Sequence, residues 1–111
     1  MSQALIDKLR RARESKIEAG GHTFTVRRPS DAEATLLGGS SPLDLVHRHV
    51  VDWDLCEMHL IPGGNPEPAP FSAEVWATWV DDQPALWGPL SDAIISAYRR
   101  HVESREAVEK N

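Results

Sequence analysis

The chain has 111 residues, 41% hydrophobic and 26% charged, with a formal net charge of −5. That is enough for a single domain, residues 1–111, and one modest core, and too little for two. No apolar run approaches the ~20 residues of a membrane span, and the start of the chain lacks a signal-peptide core. The lone cysteine, Cys56, excludes an internal disulfide and fits a reducing cytoplasm.

Charge is unevenly placed. Residues 1–28 carry seven Lys/Arg against three Asp/Glu, a net +4, and the remainder carries −9. Such asymmetry points to a nucleic-acid arm or to head-to-tail self-association, and otherwise to two solvated faces of opposite sign.

From Ser2 to Glu14, Leu5, Ile6, Leu9 and Ala12 recur at helical spacing among Lys8, Arg10, Arg11 and Arg13. This predicts a terminal amphipathic helix over residues 1–14, loosely attached because its stripe is narrow. Ser15–Arg28 reads as a β-hairpin turning at Gly20-Gly21, pairing Ile17 with Phe24 and Ser15 with Val26. Ile17, Phe24 and Val26 then share one apolar side that must lie on helices.

Ser30 with Glu33 forms a capping box for a short helix stopped by Gly38-Gly39. Ser41-Pro42 opens another helix. Leu43, Val46, Val50 and Trp53 predict its core stripe, with an end near Asp52–Leu55 or, alternatively, at Leu60. The proline-rich Pro62–Pro70 predicts a stiff surface loop. Ser72 then caps a helix whose buried side is Val75, Trp76, Trp79 and Val80, with Phe71 stapled onto Trp76. A last helix is expected from Pro84 to Val108, bent or split at Gly88-Pro89. Its polar end, residues 103–111, is expected to be solvent-exposed or disordered.

No catalytic pattern stands out. His47, His49, Cys56 and His59 lack the tight ligand pairs of zinc sites. Cys56 lacks a recognisable activating environment, and the acids Asp52, Asp54, Glu57, Asp81 and Asp82 sit where caps or solvated charge belong. Gly38-Gly39-Ser40-Ser41 lacks phosphate-loop spacing. Arg10, Arg11, Arg13, Arg27 and Arg28 form a basic patch without a nucleic-acid-binding motif. The composition thus argues for a non-enzymatic protein without metal or cofactor.

Trp53, Trp76, Trp79 and Trp87 read first as core, and second as anchors for a partner helix.

The order of these pieces resembles the small tail assembly chaperones of long-tailed bacteriophages and prophages. The resembling features are R-R-P-S at Arg27–Ser30 and H-V-V-D-W-D-L at His49–Leu55. After them come the Pro-Gly-Gly loop, P-F-S-A-E at Pro70–Glu74 and P-A-L-W…L…A-I…A-Y from Pro84 to Tyr98. Gly88-Pro89 departs from what is expected of the last helix.

The resemblance implies a mostly α (α+β) fold: a small helical domain with the hairpin packed on helices. It implies a chaperone that binds the tape-measure protein, promotes tail-tube protein assembly around it and self-associates. Such a protein works in the bacterial host cytoplasm, not in the mature virion, and often has a frameshift-extended form. Trp53, Phe71, Trp76, Trp79 and Trp87 are the candidate partner-binding residues. The alternatives are a head–tail or tail-terminator subunit of the virion, or a small nucleic-acid-binding regulator.

Overall fold

The computed structural model describes residues 2–110. It is an α+β fold: a three-stranded antiparallel sheet packed against helices. Helix α1 (Gln3–Arg11) leads into the hairpin β1 (Glu14–Ala19) and β2 (His22–Arg27). The predicted first helix thus stops short of Glu14, which instead pairs with Arg27 across the hairpin and accepts a 2.8 Å hydrogen bond from its guanidinium. Ile17–Phe24 and Ser15–Val26 pair as expected. The turn is tight: Gly20 has φ +59°, and a Cβ there would lie 3.0 Å from the Leu86 side chain.

Helix α2 (Asp31–Ala34) and helix α3 (Pro42–His49) both begin with complete capping boxes, from Ser30/Glu33 and Ser41/Asp44. Helix α3 stops earlier than expected. Val50–Trp53 forms a third strand, β3, on the open edge of β2. Val50 pairs with Val26 and Trp53 with Phe24, with the register shifting between Thr25 and Val26. This bulge turns both Val50 and Trp53 into the core although they are three residues apart, a spacing that mimics a helix.

A single turn, α4 (Glu57–Leu60), precedes the proline-rich loop, which touches back through a Cys56–Pro68 bridge. Helix α5 (Ala73–Val80) starts at Ser72, whose hydroxyl accepts from the Val75 amide, and Phe71 does pack on Trp76. Helix α6 (Pro84–Lys110) packs on α3, α5 and the hairpin.

Gly88-Pro89 does not split α6. Pro89 lies in its second turn and forfeits one backbone donor, while buried Leu86, Leu90 and Ile94 hold the helix down on both sides of it. The polar end is solvent-exposed, one of the two outcomes expected of it: residues 103–109 are exposed on α6, which runs to Lys110, and Asn111 lies outside the described residues. The middle of α6 is tied back to the domain by Asp31 on α2. Arg105 donates to it at 2.6 Å, Tyr98 donates at 3.0 Å, and His101 lies 3.5 Å away. These hydrogen bonds, from Arg105 first and then Tyr98, hold the Asp31 carboxyl below the usual carboxylate range.

The core is organised around Trp76, fully buried on α5. Its ring lies 5.4 Å from Phe24, 5.9 Å from Trp79, 6.1 Å from Trp53 and 6.5 Å from Phe71, all within aromatic-pair range. Its indole N–H donates to the Val46 carbonyl, so three elements close on one side chain. Trp53 and Trp87 likewise donate to the carbonyls of Ala69 and Val80. Buried indoles are tolerated because each N–H has found an acceptor.

Candidate helix-binding groove

The outward face of α5 lines an open apolar groove. Glu74, Val75, Thr78 and Trp79 share one side of α5 and form a wall that Asp82, in the turn after the helix, extends. Glu57, Leu60 and Ile61 form the facing wall, and Gln83 closes one end. The groove between them encloses about 660 Å³. Leu60, Ile61, Val75 and Trp79 make its lining largely apolar, and Glu57, Glu74 and Asp82 bring three carboxylates to it.

Backbone packing fixes the second wall. The amides of Glu57 and Met58 donate to the carbonyls of Glu67 and Asn65, clamping α4 to the proline-rich loop. Gly64 is essential to that clamp, since a Cβ there would lie 2.6 Å from the Glu57 carbonyl carbon and oxygen. His59 Nδ1 accepts from the Cys56 amide and caps α4. The groove is thus braced by the loop whose prolines limit its freedom.

The five candidate anchors separate. Trp76 and Trp53 belong to the core. Phe71 and Trp87 are half-buried against it, and only Trp79 lines the groove. Val75, expected on the buried side of α5, is instead 45% exposed, and Ile61 opposite is 54% exposed. A periodicity reading could have found the Glu74–Asp82 wall; the Glu57–Ile61 wall depends on the loop and has no such signal.

The polar candidates disperse. His49 is buried on α3, with Nδ1 3.1 Å from the Arg27 carbonyl. Desolvation lowers its pKa, helped by Arg48 and Arg13, against the opposing pull of Glu33 and the Arg27 carbonyl. His47 bonds Asp81 at 2.7 Å, and Asp54 faces His22 at 3.6 Å. The continuous helix that would align His49, Asp52, Cys56 and His59 does not exist, because β3 interrupts it. Among the described residues, no three His, Cys, Asp or Glu side chains come together as a metal-holding group.

Comparison with protein-family models, curated proteins and solved structures finds no match for this chain.

The basic patch is partly neutralised within the fold. Arg13 pairs with Glu33 at 3.1 Å, Arg27 with Glu14, and Arg28 donates to the Pro29 carbonyl. Lys8, Arg10 and Arg11 remain on exposed α1, and no described helix is long and apolar enough to cross a membrane.

Proposed function

We propose that this protein is a non-enzymatic tail assembly chaperone that binds an amphipathic helix in the α4–α5 groove. The observation that carries the reading is the groove's make-up: exposed Val75 and Ile61 between Glu57, Glu74 and Asp82. An apolar helix stripe flanked by Lys or Arg fits such a surface, its side chains at i, i+3 and i+4 entering the groove. The sequence resemblance supplies the client, the long helical tape-measure protein, around which tail-tube subunits then assemble. Shielding such a helix until assembly requires surface contact only, with no bond made or broken.

The experiment is co-expression with the tape-measure protein of a long-tailed phage or prophage whose genome carries this chain. Wild type is expected to keep that protein soluble and to co-purify with it. Thr78→Glu, an exposed groove substitution, is expected to abolish both while leaving the fold intact. A tape-measure protein equally soluble with either version, or equally insoluble, contradicts the reading.

A further inference from the structure

Helix α1 is the other unpartnered apolar surface of the molecule. It buries none of its residues, and Leu5 and Leu9 are 59% and 62% exposed. Leu5, Ile6 and Leu9 project from one side, and on a helical wheel Lys8 flanks that stripe on one edge and Arg10 on the other. Within its own copy Ile6, Leu9 and Arg10 border a shallow open hollow with Arg28, Ser30 and Glu33, none of which lines the groove. Nine residues, and so ~13 Å long, it is an apolar stripe between two cations. The groove is a largely apolar trough carrying carboxylates.

We infer that α1 of one copy lies in the α4–α5 groove of the next, joining copies head to tail. Leu5, Ile6 and Leu9 enter against Val75 and Trp79, while Lys8 and Arg10 face the groove's carboxylates. The contact uses two different surfaces, so a joined pair still offers one free α1 and one free groove, on opposite copies. The product is a ring or an open chain, not a closed two-fold dimer. The basic first 28 residues and the acidic remainder of the sequence then have a structural meaning: they supply the two sides of a repeating contact. The inference rests on the groove being a helix-binding surface, and it makes α1 the occupant that a client helix must displace.

Sedimentation velocity on the full chain tests it. Wild type is expected to associate in a concentration-dependent way, more weakly as salt rises from about 0.05 to 0.5 M. Leu9→Glu and Val75→Glu, both at exposed positions, should each weaken association by about tenfold or more. Charge reversal adds a rescue: Lys8→Glu/Arg10→Glu and Glu74→Lys/Asp82→Lys should each be monomeric alone and associate when mixed. Circular dichroism on every variant confirms the fold. A wild type monomeric at about 100 μM overturns the inference, as does association unmoved by either set of substitutions. Self-association of this pattern beside an insoluble tape-measure protein would leave the inference standing and sink the client assignment.

Discussion

Helices α1 and α5 are nearly equal in length, nine and eight residues, and both carry large apolar side chains. Helix α5 commits Trp76 and Val80 to the core, turns Val75 outward and leaves Trp79 half-buried between core and groove. Helix α1 commits nothing. The contrast teaches that apolar content does not by itself say which residues fold a chain. Trp76 is in place because β2, β3 and α3 converge on it, whereas Leu9 meets no converging element. Side chains of the first kind determine stability; those of the second kind are available to another molecule.

The sharpest way to break that contrast is at Trp76. Trp76→Ala should cost about 3–5 kcal/mol in urea unfolding, because it opens a cavity among four aromatic neighbours. Trp76→Phe should cost less, about 1–3 kcal/mol, through the lost indole volume and the lost indole hydrogen bond, since the Val46 carbonyl keeps the Val50 amide as a donor. A Trp76→Ala protein as stable as wild type would remove the hub from the account.

A second, smaller effect belongs to the groove's support. Gly64→Ala forces a methyl group onto the Glu57 backbone and should cost about 1–3 kcal/mol. It should also weaken tape-measure binding, since α4 must move. Unchanged stability and unchanged binding would show that the loop does not brace the wall.

The third test is pH. The unfolded chain protonates His49 near the ordinary value of 6.5, whereas the buried native ring resists protonation. Stability should therefore fall as pH drops below about 6.5, until the native ring also takes up a proton. Asp31 and Asp44, with lowered pKa values, lose their contribution only below the ordinary carboxylate range near 3.8. Unfolding of wild type and His49→Gln between pH 5 and 7 isolates the histidine, and the variant should show the flatter profile. Parallel profiles would contradict the assignment.

The smallest effect on stability is expected where the effect on association is greatest. Leu9→Glu and Val75→Glu should each stay within about 0.5 kcal/mol of wild type in urea. A loss of several times that would place these residues in the fold and not on its surface.

Local signals were legible wherever one short segment decides the outcome. The Gly20-Gly21 turn, the hairpin register and the Ser30, Ser41 and Ser72 caps needed only neighbouring residues. Strand β3 was not legible, because the bulge opposite Thr25–Val26 gives Val50 and Trp53 a helical spacing. The tie between α2 and α6 was hidden for a similar reason: it joins Asp31 to Tyr98 and Arg105 across 67 and 74 residues of sequence. The groove falls between these cases. One wall follows from α5 periodicity, and the other requires the proline-rich loop to fold back on α4. Trp79 alone among the proposed anchors meets that groove, a distinction that composition could not draw.

The four tryptophan indoles offer the most direct measurement. Trp53, Trp76 and Trp87 donate to internal carbonyls, and among the described residues no such bond is found for Trp79. In a ¹⁵N-labelled sample, a soluble helical segment of the tape-measure protein should shift the Trp79 indole signal while those of Trp53 and Trp76 stay in place. A Trp79 signal that does not move under saturating partner, or four signals that move together, would contradict a groove built on the outside of an undisturbed core.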